Sequence, residues 1–226
     1  MLNSTWDKDP AGYDSHRTTW LHQRKTNRLF EFLTEAKAGE RIIEVGCGTG
    51  VAILDIAERR PDLSFIGIDP NREYIDYANT KVTQRKFKNV SFSTGLAEQI
   101  SSSNENSCQA NWIISTDVLH HVSDLRRSIE EISLNSCSGA KWMILEPSWL
   151  NPYICYFQAT KLGERNFWPN AFLELTRNNW HHEATQYINI IPSAIKKPNN
   201  IIKKLEYFLE GLPVICGTIC LVLQKK

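Results

Sequence analysis

The feature that most constrains this chain is a triple-glycine bend set between a strand-like run and a helix-like run. Arg41-Ile-Ile-Glu-Val45 reads as a buried strand, and Gly46-Cys-Gly-Thr-Gly50 follows without a spacer. Residues 51–59 then turn at once into a helical pattern, with Ile53, Ile56 and Ala57 on one side. A second strand, residues 63–69, begins after Pro61 and ends in Asp69. Glycine permits positive φ and lets backbone amides approach a ligand with no Cβ in the way. An acidic side chain closing the next strand accepts both hydroxyls of a ribose. Together these describe a site for an adenosine-containing ligand at the carboxyl edge of a sheet. The plainer alternative is a tight strand-to-helix turn with an unrelated surface Asp.

The spacing narrows the ligand. A nicotinamide fingerprint is G-x-G-x-x-G, whereas here the third glycine comes one residue earlier and Glu44 stands two residues before the first. An acid at that point repels a pyrophosphate and attracts a positively charged amino group. A ligand with a cationic tail is favoured over a dinucleotide, and a nicotinamide dehydrogenase is disfavoured.

The rest of the chain repeats the alternation of strand and helix. Helices are expected at 16–36, 72–85 and 124–134, and strands at 90–93, 112–116 and 141–145, with a serine- and asparagine-rich loop at 101–107. Strands 182–190 and 215–223 flank a helix at 200–209. The expected fold class is α/β: a Rossmann-like, seven-stranded, mostly parallel sheet with an antiparallel C-terminal edge and helices on both faces. At 226 residues a single domain is expected, with a helical cap at 1–38, a cofactor-binding core at 39–146, and a substrate lid with the last strands at 147–226.

Composition excludes several classes. Hydrophobic residues make up 42% and charged residues 23%, which rules out a disordered or low-complexity chain. Lys+Arg 26 against Asp+Glu 25 gives no global pull towards nucleic acid or anionic membrane. Cysteines at 47, 108, 137, 155, 216 and 220 form no C-x-x-C, so free thiols in a reducing cytosol are expected. MLNSTWDKDP lacks a basic-then-apolar pattern, and the apolar stretch 212–223 is broken by Pro213, Gly217 and Thr218. A cytoplasmic protein without a transmembrane segment is the expectation.

Ile43-Glu-Val-Gly-Cys-Gly-Thr-Gly50 resembles motif I of the class I S-adenosylmethionine-dependent methyltransferases, and Gly67-Ile-Asp-Pro70 resembles their acidic loop. Gly95-Leu-Ala-Glu98 lies where that family carries an adenine-contacting segment, and Ser115-Thr-Asp-Val-Leu-His-His121 is similar to its strand-four end. The resemblance covers residues 40–146 and implies S-adenosyl-L-methionine as cofactor. It implies that Gly46, Cys47, Gly48 and Gly50 form the cofactor turn, that Asp69 with Pro70 binds the ribose, and that Glu44 orients the methionine amino group through water. Leu96 and Ala97 would face adenine, Ala97 through its backbone N–H, and Thr116 and Val118 would line the floor. The chain departs from the family in having Leu96 where an acid is common and Asn111 where an Asp commonly precedes strand four. Trp6-Asp-Lys-Asp-Pro-Ala-Gly-Tyr13-Asp14 is similar to a segment whose aromatic closes over the cofactor in small-molecule members. Tyr13 is that lid candidate, with packing at a helix entry as the alternative.

Methyl transfer from a sulfonium is an in-line displacement, so the protein mainly positions the acceptor and excludes water. Positioning supplies at most ~7–11 kcal/mol, and a general base adds about 10²–10⁴-fold when a hydroxyl must lose its proton. His121, just past strand four, is the first candidate base; alternatively one of His120-His121 packs under the next helix while the other bonds backbone. Glu146 is a second base or a hydrogen-bond acceptor for substrate, or else pairs with Arg or caps a helix. His181 and His182 are weaker candidates, and the histidine pairs lack a metal-ligand set at known spacing, so no metal is expected. The cluster Tyr153, Tyr156, Phe157, Phe167, Trp168 and Phe172 is either core or a lid over an apolar acceptor. Lys196, Lys197, Lys203 and Lys204 are solvated helix ends, or a basic rim for a phosphorylated or lipid-linked acceptor or a membrane. A small-molecule acceptor is expected, with O-methylation favoured over N-methylation and no nucleic acid partner. The alternatives are an RNA or protein/peptide methyltransferase and a cofactor-binding scaffold without chemistry.

Overall fold

The computed structural model describes residues 9–100, 109–158, 160 and 165–226. The expected loop at 101–107 and Trp6 lie outside the described residues. In chain order the elements are α1 (Pro10–Arg17), α2 (Trp20–Phe32), β1 (Arg41–Val45), α3 (Val51–Arg59), β2 (Ser64–Asp69), α4 (Arg72–Arg85) and β3 (Val90–Thr94). They continue with β4 (Ala110–Thr116), α5 (Leu125–Leu134), β5 (Ser136–Pro147), α6 (Pro152–Phe157), α7 (Pro169–Thr176), β6 (Trp180–Ile188), α8 (Asn200–Leu209) and β7 (Thr218–Lys225).

The seven strands form one sheet in the order β3-β2-β1-β4-β5-β7-β6. Strands β1 to β5 pair in parallel, and β7 runs antiparallel to both β5 and β6. The fold is thus the Rossmann-like α/β sheet expected from sequence. The reversed strand lies between two others, however, and β6 forms the edge. Strand order reverses between β1 and β4, and the crevice at that switch point is where open α/β sheets bind ligands.

Both faces are covered, which is why the central strands are continuously apolar. On β1, Ile42 packs with Leu29, Ile53, Ile56 and Phe65 on one face. Its neighbour Ile43 packs with Ile113, Leu119, Ile129 and Ile144 on the other. The aromatic cluster of the sequence divides: Phe167 and Phe172 are buried, whereas Tyr153, Tyr156 and Trp168 are exposed. Among the described residues no helix is long and apolar enough to cross a membrane.

The single helix expected at 16–36 is two helices joined at Thr18-Thr19. Asp9 caps α1 by accepting from the amides of Ala11 (3.2 Å) and Gly12 (3.0 Å), with Pro10 at the first helical position. Thr18 Oγ1 donates to the Ser15 carbonyl at 2.8 Å and Thr19 is extended with its Oγ1 2.8 Å from His22 Nδ1. Hydroxyls that bond locally compete with the helix ladder, and two in succession end it here. The last strands also shift: β6 stops at Ile188 because Asn189 takes φ 63°, and residues 215–217 belong to the turn before β7.

Trp142 of β5 is fully buried, with ring centroids of Phe172 and Trp180 at 5.6 and 5.4 Å and its Nε1 donating to Ser115 Oγ at 3.0 Å. Trp142→Ala should cost about 3–5 kcal/mol in urea unfolding, and Trp142→Phe clearly less.

Candidate active site at the carboxyl edge

The β1-to-α3 turn is built from backbone that only glycine adopts cheaply. Gly46 has φ 76°, and a Cβ there would lie 2.3 Å from Val118 Cγ2, so Val118 seals the turn from the β4 side. Gly48 has φ 54°, and a Cβ there would lie 2.8 Å from Tyr13 Oη. Gly46 and Cys47 donate their amides to the Ile68 carbonyl at 2.8 and 3.1 Å, fastening the turn to β2. Gly48 donates to Asp69 Oδ2 at 2.8 Å, and Asp69 Oδ1 accepts from the Asn71 amide at 2.9 Å. Gly50, the third glycine, is the α3 N-cap. Burial pushes the Cys47 thiol well above its usual range, which disfavours the nucleophilic thiolate.

Tyr13, Glu44, Gly46, Cys47 and Thr116 line one cavity with Arg17 and Lys25. Two polar atoms here, Glu44 Oε2 and Thr116 Oγ1, are buried without a hydrogen-bond partner among the described residues. Burial, partly opposed by Arg17 and assisted by Asp69, raises the Glu44 carboxyl to about 8. Such an orphaned carboxyl group, protonated while nothing faces it, suits an ammonium group beside which it would ionise. The cradle therefore fits the amino acid end of S-adenosylmethionine, with Asp69 on its flank. Leu96 and Ala97 stand on that flank as well, because the Gly95 amide donates to the Asp69 carbonyl at 3.1 Å. Leu96 is half exposed, Ala97 is buried at the start of a short 3-10 turn, and Pro70 is exposed.

An ion cluster that sequence reasoning missed holds α1 and α2 over this cavity. Asp117, with φ 53°, follows the last residue of β4 and accepts from Arg17 Nη1 at 2.8 Å and Lys25 Nζ at 2.5 Å. Burial works to raise the Asp117 carboxyl, but Lys25 and Arg17 overcome it and hold the group far below the usual carboxylate range. Arg17 Nε also donates to Tyr13 Oη at 2.9 Å, which aims the phenol over the glycine turn. Asp14 binds Thr49 Oγ1 within that turn and Lys81 of α4 at 2.8 Å.

Glu146, expected as a second base or a substrate acceptor, or else as an ion-pair or capping partner, is fully buried at the end of β5. Its Oε1 accepts from the amides of Val118 (3.0 Å) and Leu119 (2.8 Å), and its Oε2 lies 2.6 Å from His120 Nδ1. With both oxygens engaged, Glu146 shapes the loop after β4. His120 is buried and lines a cavity of about 490 Å³ with Leu119, Val122, Arg165, Phe167 and Trp168. His121 is exposed and its ring lies on that of His120, centroids 4.0 Å apart. His181 and His182 sit on β6 opposite Gln224 and Leu223, at the end of the sheet away from these loops.

A family model described as a methyltransferase domain matches residues 36–207, well over half of the chain. The chain belongs to that methyltransferase-domain family. Among solved structures, the YcgJ protein of Bacillus subtilis superposes with a TM-score of 0.65 at 16% identity, covering 91% of this chain and 99% of that one. Geranyl diphosphate C-methyltransferase of Streptomyces coelicolor A3(2), solved with Mg²⁺, geranyl diphosphate and S-adenosyl-L-homocysteine, gives 0.67 at 12% identity and covers 90% of this chain and 80% of that one. A tRNA (guanine-N(7)-)-methyltransferase of Clostridium botulinum (strain Hall) is 39% identical over 66 residues, 25% of this chain. That match spans only 30% of the relative's own length.

Glu44 holds in the native state a proton that the unfolded chain releases near its ordinary value of 4.5. The stability this gives is present below that value and is lost as pH rises through about 8. Glu44→Gln, which cannot ionise, should therefore melt at a higher temperature than the parent above pH 8 without ligand. The difference should shrink towards acid pH in thermal scans.

Proposed function

We propose that this enzyme methylates a small molecule seated beside the loops that follow β4 and β5, on a hydroxyl oxygen rather than a nitrogen. The observation that carries this reading is the cavity of about 490 Å³ whose wall includes His120, held from behind by Glu146. Its size falls within the range of small-molecule sites, and its lining is mostly apolar with Arg165 and Asn166 as polar members.

When bound, S-adenosylmethionine supplies an electrophilic methyl group on a sulfonium. Glu44 holds the amino group of that ligand, Asp69 its ribose hydroxyls, and Leu96 with the Ala97 amide its adenine. The Gly46, Gly48 and Gly50 backbone admits it closely, and Thr116 and Val118 form the floor. Tyr13 excludes water from above. His120 takes over the role expected of His121: a buried imidazole, oriented at Nδ1 by a carboxylate, accepts the hydroxyl proton as the oxygen is methylated. Glu146 is then a positioning residue that stabilises the imidazolium.

A second reading has one observation in its favour, the partial identity to a tRNA (guanine-N(7)-)-methyltransferase. Methyl incorporation into RNA by the purified protein, with none into small hydroxyl compounds, would replace the first reading by this one.

S-adenosylhomocysteine should raise the melting temperature of the parent protein, and Asp69→Ala should abolish the shift. Binding should release about one proton near neutral pH as Glu44 ionises beside the ligand's ammonium group. Calorimetry in buffers of different ionisation enthalpy reads that release, and a buffer-independent heat would remove Glu44 from the site. With a turned-over acceptor, His120→Ala should lower kcat by about 10²–10⁴-fold and flatten the acid limb of the pH profile, whereas His121→Ala should leave both nearly unchanged.

A further inference from the structure

Helix α8 is packed with its carboxylates inward and its apolar side outward. Glu206 is buried and accepts from the amides of Ile190 (2.9 Å) and Ile191 (3.0 Å) and from Trp20 Nε1 (2.6 Å). Glu210, just past the helix end, pairs with Arg24. On the opposite side Ile201, Leu205 and Phe208 are 78%, 54% and 83% exposed. Their spacing of four and three residues puts them on one helical face. The exposed surface continues along the chain through Leu212, Val214 and Ile215. Asn151 Nδ2 donates to the Ile215 carbonyl at 2.9 Å, which sets α6 and its exposed Tyr153 and Tyr156 beside it.

The charges of this surface have one sign. Between residues 196 and 217 the cations are Lys196, Lys197, Lys203 and Lys204, and the acids are Glu206 and Glu210. Both acids are turned inward. Lys203 lies over the Trp20 ring at 4.4 Å, while Lys196, Lys197 and Lys204 are exposed. A second copy of the chain docked here would set lysine against lysine. A nucleic acid would meet the lysines and leave the large apolar side chains unpaired. An anionic bilayer satisfies both features, taking aromatic and aliphatic groups into the boundary between headgroups and acyl chains and the lysines at the lipid phosphates.

Topology places this surface near the chemistry. Strand β6 runs parallel to β5, so α6 and the segment carrying α8 both follow strands that end at the carboxyl edge of the sheet, the edge that holds the glycine turn. We infer that the α8 face, carrying Ile201, Leu205 and the exposed Phe208, with Lys204 on the same helix and Lys196 and Lys197 in the segment that leads into it, docks this protein on an anionic membrane surface. The inference stands independently of the acceptor assigned above.

Vesicle sedimentation with the full chain tests it. The protein should pellet with vesicles of phosphatidylcholine and phosphatidylglycerol in equal parts, remain in solution with phosphatidylcholine alone, and detach as salt is raised. Phe208→Asp and Ile201→Asp, at exposed positions, should keep the parent melting temperature and weaken binding by about tenfold or more. Lys204→Ala should weaken it about fivefold. No pelleting with the anionic vesicles overturns the inference, as does undiminished pelleting of Phe208→Asp. A dimer in sedimentation velocity that Phe208→Asp dissolves, with no vesicle binding, assigns the face to a second copy instead.

Discussion

Asp117 leaves β4 in the left-handed region, and its carboxylate meets Lys25 from α2 and Arg17 from α1. Those helices precede the first strand, and this contact ties both of them to the end of β4, with Asp14 adding a tie to Thr49 in the glycine turn. Burying three charges costs desolvation that their attraction repays only with good geometry. What the cluster gives in return is placement: Arg17 carries Tyr13 to Gly48, and Lys25 brings the middle of α2 to the end of β4. The helices over the cavity at the glycine turn and the end of the strand beside it are thereby parts of one electrostatic unit.

Three buried carboxylates and the partly buried Asp117 organise the carboxyl edge of the sheet, and they differ in what satisfies them. Asp117 is satisfied by cations, and Glu146 by the backbone amides of Val118 and Leu119 with His120. Glu206 does for the α8 connection what Glu146 does for the loop after β4, holding two successive amides and a ring nitrogen. Glu44 alone of the four keeps an oxygen without a partner among the described residues. The contrast separates groups whose oxygens are spent on folding the loops from the one with an oxygen still unspent.

The strand, glycine turn, helix and acid-ended strand were legible because each is a local pattern with one physical solution. The alternation that followed carried the parallel sheet in the same way. Arg17 and Lys25 were not legible as partners of Asp117, since the pairs lie 100 and 92 residues apart and salt bridges leave no periodic trace. Adjacent identical residues posed a different problem. Nothing in His120-His121 says which ring turns inward; the short turn after β4 and the carboxylate of Glu146 decide it. The aromatic cluster looked uniform, yet Phe172 went under Trp142 while Tyr153 and Tyr156 stayed outside, because α6 and α7 face different surroundings. The helix at 200–209 was expected, but its inverted orientation depends on backbone amides at 190 and 191 that only Glu206 reaches.

The antiparallel strand β7 occupies an interior place in the sheet, hydrogen-bonded to β5 on one side and β6 on the other. Strand β6 precedes it in the chain and, among the described residues, has no other neighbour in the sheet. Residues 180–188 therefore take their place in the sheet through residues 218–225, which are themselves held by β5. Closing this edge is a non-local step, so whatever loosens β7 loosens β6 with it.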